Sequence, residues 1–449
     1  MQKITNFLQF GLHPQIQKAI DESGYTSPTP IQTQAIPLLL QTRDLIGCAQ
    51  TGTGKTAAFA LPILHHLTNH RRQLEQKKPR ALVLTPTREL AIQVSENFQT
   101  YGKYLNLKHS VIFGGVGQSP QVKSLSSGVD ILVATPGRLI DLINQKYLKL
   151  DSVETFVLDE ADRMLDMGFI HAIKKVLNLL PSKRHNLFFS ATMPPEVEKI
   201  AKSMLVDPVR IEVTPESTTV EKINQSVLFL DKEKKKEVLV SLFQNKDLKK
   251  VVVFTKTKHG ANKVAELLQK RGISVGIIHG NKSQTARQTS LENFRTGKAR
   301  ALVATDIAAR GIDVDGVTHV INYELPNVPE SYVHRIGRTA RAGAEGVAIS
   351  FCDREERPLL KDIEKKIGKQ IPVDQNYSFP AEQTADKTKK SQPNQGHTKQ
   401  NHVPSGKKEN KPFVKKEEKG QKRENFPSGK KPFRKKASFS NKRFRSDSK

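Results

Sequence analysis

Three carboxylates stand within four positions of the stretch VLDEADRML, at Asp159, Glu160 and Asp162, in a chain with a formal net charge of +28. The preceding residues TFVL are apolar and partly β-branched, so they predict a buried parallel strand whose carboxyl end carries the acids. Ligands bind at that end of the strands in α/β sheets. Taken alone, the run fits an acidic turn at the start of the next helix equally well, because Asp and Glu favour helix N-termini.

A second segment, AQTGTGKT at residues 49–56, follows an apolar strand pattern and precedes a helical one. This is the context that a phosphate-binding loop requires. Its glycines let backbone N–H groups turn toward anionic oxygens, Lys55 can reach the β- and γ-phosphates, and the Thr56 hydroxyl can ligate Mg²⁺. The residues predicted to bind the nucleoside triphosphate are Ala49, Gln50, Thr51, Gly52, Thr53, Gly54, Lys55 and Thr56.

A bound Mg²⁺ and triphosphate decide between the two interpretations of the acidic run. The cation needs a carboxylate from a neighbouring strand end, and Asp159 fits that role, so Thr56 and Asp159 are the predicted metal ligands. Hydrolysis also needs a group that orients or deprotonates the attacking water, and Glu160 is the candidate. Asp162 is predicted to form hydrogen bonds elsewhere in its own lobe.

Composition favours a nucleic-acid partner. Lys and Arg total 73 against 45 Asp and Glu, and the isoelectric point is near 9.9. A basic membrane-surface protein is the rival interpretation. The only cysteines are Cys48 and Cys352, which excludes a disulfide framework and a cysteine-built zinc site. Without an apolar leader or membrane span, a soluble, cytoplasmic protein is expected.

Strand-like and helical patterns alternate twice along the chain, which predicts two α/β lobes with parallel sheets flanked by helices. The expected boundaries are 1–212 for the first lobe, 213–222 for a linker and 223–370 for the second lobe. Residues 371–449, rich in Lys, Ser, Pro, Asn and Gln, are predicted to be disordered. This tail holds 21 Lys and Arg against 8 Asp and Glu.

Aromatic residues are interspersed among the basic residues of the tail. A PSGKK sequence occurs twice in it, at residues 404–408 and 427–431. Cations for phosphates and rings for bases are the two elements of single-strand binding that tolerates any sequence. A solubilising tail with incidental aromatic residues is the alternative. The aromatic residues concerned are Phe413, Phe426, Phe433, Phe439 and Phe444.

With the phosphate loop, the acidic DEAD run and SAT at residues 190–192 in this order, the chain resembles the DEAD-box RNA helicases of superfamily 2 over about residues 5–370. The resemblance implies two tandem RecA-like domains, ATP rather than GTP, Mg²⁺ and an RNA substrate. The block GYTSPTPIQ matches the family's Q motif, in which Gln32 would read the adenine edge. Phe7 matches the upstream aromatic residue of that motif.

The resemblance also assigns residues that would grip the RNA backbone. They lie in PTREL, GG and TPGR of the first lobe and in SQTARQ and VATDIAARGID of the second. Loop N–H groups, hydroxyls and arginines of this kind suit phosphate oxygens. A helix beginning near Arg138 would bend the bound strand. The residues implied are Pro86, Thr87, Arg88, Gly114, Gly115, Thr135, Pro136, Gly137, Arg138, Gln284, Arg287 and Thr305.

The segment HRIGRTARAG at residues 334–343 matches the family's arginine-rich motif. Arg338 and Arg341 resemble its arginine fingers, which stabilise charge at the γ-phosphate when the lobes close. His334 is expected to couple the second lobe to Ser190 and Thr192 or to the DEAD loop, and Asp313 resembles the ribose contact. Ala340 departs from the family pattern, which usually has Gly there.

The function implied is local, ATP-dependent unwinding of short RNA duplexes by a monomer. A compact core followed directly by a basic tail is most similar to the bacterial RhlE type, which suggests ribosome assembly or RNA turnover, with protein partners from those processes. Two other functions remain open: a DNA-directed superfamily 2 translocase, and a non-catalytic RNA-binding or annealing protein whose tail carries the function.

Overall fold

The computed structural model describes residues 4–50, 52–213, 223–306, 314, 316–340 and 345–374. The predicted linker from residue 214 and the tail from residue 375 lie outside these ranges, as do Thr51, Asp313 and Arg341. In the part of the chain that is described, no helix combines the length and the apolar character that crossing a membrane requires.

The first lobe begins with a short 3₁₀ turn at Phe7–Phe10 and contains nine helices and seven strands among its described residues. Its helices are α1 (Pro14–Glu22), α2 (Pro30–Leu40), α3 (Lys55–Asn69), α4 (Arg88–Tyr101), α5 (Ser119–Ser126), α6 (Pro136–Asn144), α7 (Ala161–Asp166), α8 (Ile170–Leu177) and α9 (Pro195–Met204). Its strands are β1 (Leu45–Cys48), β2 (Ala81–Leu84), β3 (His109–Ile112), β4 (Ile131–Ala134), β5 (Thr155–Leu158), β6 (His185–Ser190) and β7 (Val209–Glu212).

These strands form one parallel sheet in the order β3-β4-β2-β5-β6-β1-β7. Alternate side chains of the central strand β2 enter two different cores. Val83 packs in the core that α1–α4 cover, whereas Leu82 and Leu84 pack in the core under α5–α9. A strand buried on both faces needs apolar residues at every position, which is why the sequence showed continuous apolar runs here.

The second lobe repeats this architecture. Its described helices are α10 (Lys235–Leu242), α11 (Lys258–Lys270), α12 (Gln284–Arg295), α13 (Pro329–Ile336) and α14 (Arg357–Ile367). Its strands are β8 (Ile223–Phe229), β9 (Val251–Thr255), β10 (Val275–Ile278), β11 (Ala301–Thr305), β12 (His319–Asn322) and β13 (Gly346–Cys352). They form a parallel sheet in the order β10-β11-β9-β12-β13-β8. The predicted fold class, two parallel-sheet α/β lobes, is confirmed.

The second lobe extends beyond the predicted start of the tail. Ile371 is buried, the Val227 N–H donates to Pro372 O at 2.9 Å, and the Asp374 N–H donates to Val227 O at 3.0 Å. Residues 371–374 therefore cover the free edge of β8, and assigning them to the tail was wrong. The apolar pair Ile371 and Val373 was too short a pattern to be distinguished from the polar segment that follows.

Replacing Ala340, the residue that departs from the family pattern, by glycine is expected to stabilise the protein. Its φ of 55° lies in the left-handed region, where a Cβ costs about 1–2 kcal/mol. Ala340→Gly removes that strain and loses part of the gain to the larger entropy of the unfolded chain. We expect the free energy of unfolding in urea to rise by about 0.5–1 kcal/mol with unchanged ATPase activity. A lower urea midpoint would show that the backbone is not strained there.

Candidate active site

The phosphate loop connects β1 to α3 and is held by the Q motif. Gly52 and Gly54 have φ of 85° and 92°, values that favour glycine. The Gln32 amide nitrogen donates to Gly54 O at 3.1 Å, and a Cβ at Gly54 would lie 2.4 Å from that nitrogen. Glycine is therefore required at this position, and Gln32 contacts the phosphate loop, while its predicted contact with the adenine edge stays a prediction.

Lys55 and Thr56 form the first turn of α3. Lys55 is buried, and its ammonium donates to Ala49 O at 2.9 Å across the loop. The Thr53 hydroxyl donates to Gln50 O at 2.8 Å, which closes the loop on itself. The loop is thus internally hydrogen-bonded, and its N–H groups lie at a helix N-terminus, where an anion is stabilised.

Asp159 directly follows β5 and is 2% exposed, with no hydrogen-bond partner for Oδ1. Burial raises the pKa of its carboxyl to about 6, although the nearby Lys55 charge lowers it. A buried carboxylate oxygen with no partner is suited to receive a cation. No group of three His, Cys, Asp or Glu side chains within the described ranges could hold a metal alone. One carboxylate with a hydroxyl therefore fits Mg²⁺ that is bound mainly through substrate phosphates.

Phe7 lies in a small aromatic cluster beside the Q motif. It is 2% exposed, and its ring makes edge contacts with Phe10 at 5.8 Å and Tyr25 at 6.1 Å between centroids. The cluster joins the N-terminal 3₁₀ turn to the segment that precedes α2. Phe7 thus packs this segment, and its contact with the adenine base stays a prediction.

Glu160 immediately precedes α7 with φ 54° and ψ 52°, a left-handed conformation that is strained for a residue with a side chain. Its carboxylate does not cap α7. Instead, Oε2 accepts from Arg163 Nη1 at 2.5 Å, and both side chains are buried. Glu160, the candidate for activating water, is therefore held by the guanidinium of Arg163 in the helix that it precedes.

Asp162, which was predicted to form hydrogen bonds within its own lobe, connects the acidic run to SAT. Its Oδ2 accepts from both the backbone N–H and the hydroxyl of Thr192, each at 2.9 Å. The Asp162 N–H donates to Ser190 Oγ at 3.2 Å. These hydrogen bonds link the end of β6 to the start of α7, and a coupling role for the three residues stays a prediction.

Residues of the arginine-rich motif meet the DEAD segment at two cavities. Arg338 and His334 line a cavity of about 10 Å³ together with Arg163. His334 also lines a larger cavity of about 990 Å³ with Asp162 and Thr192. The second lobe thus places His334 beside Asp162 and Thr192 and places Arg338 beside Arg163, whereas the contact of Arg338 with the γ-phosphate stays a prediction.

Three RNA-binding candidates from the two lobes come together around Glu89. Its carboxylate accepts from the Gln284 amide at 2.9 Å and pairs with Arg287 at 3.0 Å. The Arg88 guanidinium lies 3.5 Å from the Gln284 carbonyl oxygen. A Cβ at Gly115 would lie 2.0 Å from that guanidinium, so the absence of a side chain in the GG motif leaves room for Arg88.

The other RNA-binding candidates of the first lobe surround the start of α6. This helix begins at Pro136 after Thr135, two residues before the position predicted, because Pro is well suited to the first helical turn. Arg138 donates to Val116 O at 3.0 Å and lies 3.6 Å from Asp141. The remaining candidates are placed as follows: Pro86, Thr87 at the cap of α4, Gly114, Gly137 in α6 and Thr305 at the end of β11.

Sequence reasoning missed three charged residues at this site. Glu89, Arg163 and Arg335 are each 5% exposed or less, and each pairs with an opposite charge. All three stand inside motifs of the predicted site, PTREL, DEADRML and HRIGR. Charged residues inside apolar helical patterns were the available signal, but the sequence did not show which partner neutralises each of them.

Comparison with known proteins gives one consistent family. Residues 29–200 match the model of the DEAD/DEAH box helicase, and residues 234–343 match the helicase conserved C-terminal domain. Proteins named DEAD-box ATP-dependent RNA helicase CshA from Bacillus cereus and Bacillus subtilis are both 43% identical. The first alignment covers 81% of this chain and 68% of the relative, and the second covers 80% and 72%.

A solved structure has the same fold. Saccharomyces cerevisiae Dbp5 bound to RNA and ADP BeF3 superposes with a TM-score of 0.70 at 33% identity. The superposition covers 82% of this chain and 95% of that one. Most of this chain therefore shares its fold with a protein solved in complex with RNA and a nucleotide.

Proposed function

The chain belongs to the family of DEAD-box ATP-dependent RNA helicases, and from this premise we propose that it couples ATP hydrolysis to the local separation of short RNA duplexes and the remodelling of RNA or RNA–protein complexes. One observation carries the proposal. Arg338 of the second lobe and Arg163 of the DEAD segment line the same cavity, and this proximity of the arginine-rich motif to the DEAD segment supports the catalytic role proposed for Arg338.

The proposed mechanism assigns a task to each group. Lys55 and the loop N–H groups hold the phosphates, and Thr56 and Asp159 would hold Mg²⁺, which would supply positive charge to neutralise the phosphates. Glu160 orients the attacking water and accepts its proton. Arg338 stabilises charge that develops on the γ-phosphoryl group. Arg341, Asp313 and Thr51 keep their proposed roles, although they lie outside the described residues.

RNA binding is proposed to favour hydrolysis through the same movement. Candidate RNA contacts lie on both lobes, at Arg88, Arg138, Gln284 and Thr305, so a bound strand bridges the lobes as ATP does. Two ligands that each favour one arrangement of the lobes raise the affinity for one another by linkage. Bending of the strand at α6 would then displace its partner.

We propose that the chain is of the RhlE type because a basic tail follows its core. The relatives reported above carry the name CshA, so the tail is the only support for this finer assignment. A cytoplasmic monomer that acts in ribosome assembly or RNA turnover, with protein partners of those processes, follows from that assignment. The domain limits are proposed at 1–212, 213–222 and from 223 to at least 374, with the basic tail after them.

The proposal is tested by the rate of ATP hydrolysis without nucleic acid, with single-stranded RNA and with DNA of the same sequence. We expect stimulation by RNA and a loss of about 10²-fold or more in Glu160→Gln, because the amide cannot accept the water's proton. Glu96→Gln, on the exposed side of α4, is the matched control and should retain the wild-type rate. Equal stimulation by DNA would support the translocase, and no turnover would support an RNA-binding protein.

A further inference from the structure

The DEAD segment contains a buried ion pair that the proposed mechanism does not use. Arg163 lies three residues after Glu160 and donates to its carboxylate at 2.5 Å. The two side chains are only 6% and 5% exposed. A charge-assisted hydrogen bond in such a site is short and strongly directional, so it fixes where the carboxylate points.

Backbone geometry alone does not fix the orientation of the Glu160 side chain. Its left-handed backbone turns the chain sharply between β5 and α7, and its carboxylate makes no capping bond to α7. A glutamate has three side-chain torsions, and the efficiency of a base depends on placement to within about 1 Å. Arg163 therefore supplies a constraint that the backbone does not.

The Arg163 guanidinium is also close to the second lobe. It lines the small cavity with Arg338 and His334, so one side chain contacts the water-activating carboxylate and faces the arginine that stabilises the γ-phosphate.

We propose that Arg163 is a positioning residue for ATP hydrolysis, which holds the Glu160 carboxylate in its water-activating orientation by the bond from one turn along α7. The inference rests on the proposed ATPase function. It differs from a purely structural ion pair in one respect. A structural pair supports folding and all ligand binding alike, whereas a positioning pair affects the chemical step alone.

The test compares Arg163→Met and Arg163→Lys with the wild type in four measurements: kcat and KM for RNA-stimulated ATP hydrolysis, RNA affinity with a non-hydrolysable ATP analogue, and melting temperature. We expect kcat to fall about 10- to 100-fold in the methionine variant, with KM and RNA affinity within twofold. The lysine variant should recover part of kcat, because its ammonium keeps the charge without the planar fork. Arg210→Met, which breaks the exposed pair with Glu212, is the matched control and should change nothing.

A second arm asks whether Arg163 acts through Glu160. Combining Arg163→Met with Glu160→Gln should reduce the rate no further than Glu160→Gln alone, because residues that act as a unit are not additive. If the methionine variant loses thermal stability, the lysine variant carries the same comparison of kcat with RNA affinity.

Three results would overturn the inference: an unchanged kcat, a parallel loss of kcat and RNA affinity, or a raised rate without RNA. Failure of the proposed function gives a different result. In that case the wild type itself shows no stimulation by RNA. A wild type that RNA stimulates, with an Arg163→Met variant of normal kcat, refutes only the positioning role.

Discussion

Replacing Asp159 by Asn is expected to abolish RNA-stimulated ATP hydrolysis while raising the melting temperature at pH 7. The loss of activity follows from removing the only carboxylate proposed to hold Mg²⁺. Metal stabilisation of charge in the transition state contributes several kcal/mol. Each 1.36 kcal/mol corresponds to a tenfold change in rate, so we expect a loss of about 10³-fold.

The gain in stability follows from the raised pKa of Asp159. The folded protein binds a proton there with a pKa of about 6, whereas the reference value is 3.8. Between these values the folded state takes up a proton that the unfolded chain does not, so stability falls as pH rises through this interval. Above pH 6 the full cost remains, of the order of 3 kcal/mol. The neutral amide avoids it, and we expect a gain of about 1–3 kcal/mol, or a few degrees.

The measurement is thermal unfolding of both proteins without nucleotide between pH 5 and pH 8. The difference in melting temperature should be largest at pH 7 to 8 and should shrink as pH falls below about 6, because the wild-type carboxyl then becomes protonated. Asp141→Asn, at an exposed position of α6, is the matched control and should not stabilise the protein. A less stable Asp159→Asn variant at pH 8 would show that this carboxylate is satisfied in the folded protein.

Most of the fold was predictable because its signals are local. Strand patterns predicted all thirteen described strands, and the central ones, such as TFVL and VVVF, are continuous apolar runs because they are buried on both faces. The segment 371–374 was missed because its stability comes from pairing with β8, more than 140 positions earlier in the chain. Four residues are too few to indicate, from the sequence alone, which distant strand they pair with.

The site was predictable in its types of residue but not in its pairs. The spacing of Gly54, Lys55 and Thr56 identifies a phosphate loop, because one backbone conformation places all three. By contrast, Glu89 joins Gln284 and Arg287, nearly 200 positions away, and that contact depends on how the lobes meet. The pair between Glu160 and Arg163 is local, yet an acid and a base three positions apart on a helix are common on exposed faces. Burial makes this pair different, and burial is a tertiary property.

Two arginines three positions apart in HRIGR are expected to respond to substitution in opposite ways. Arg335 is 2% exposed, and its guanidinium makes a two-point pair with Asp306 at 2.5 and 2.8 Å. It also donates to Asn322 Oδ1 and Glu324 O. Arg335→Met leaves these acceptors unpaired inside the lobe, which costs about 3–5 kcal/mol. The melting temperature should fall, and the fraction of active protein should fall with it.

Arg338 instead donates from Nε to His334 O and lines the cavity that faces Arg163. Its proposed contact with the γ-phosphate exists only in the transition state, so Arg338→Met should lower kcat by about 10³-fold and leave KM for ATP nearly unchanged. Its melting temperature should stay within about two degrees of the wild type. Stopped-flow ATPase kinetics together with thermal unfolding separate the two variants. A similar loss of stability in both would mean that Arg338 also serves the fold, because an arginine that acts only on the transition state contributes nothing to the stability of the free protein.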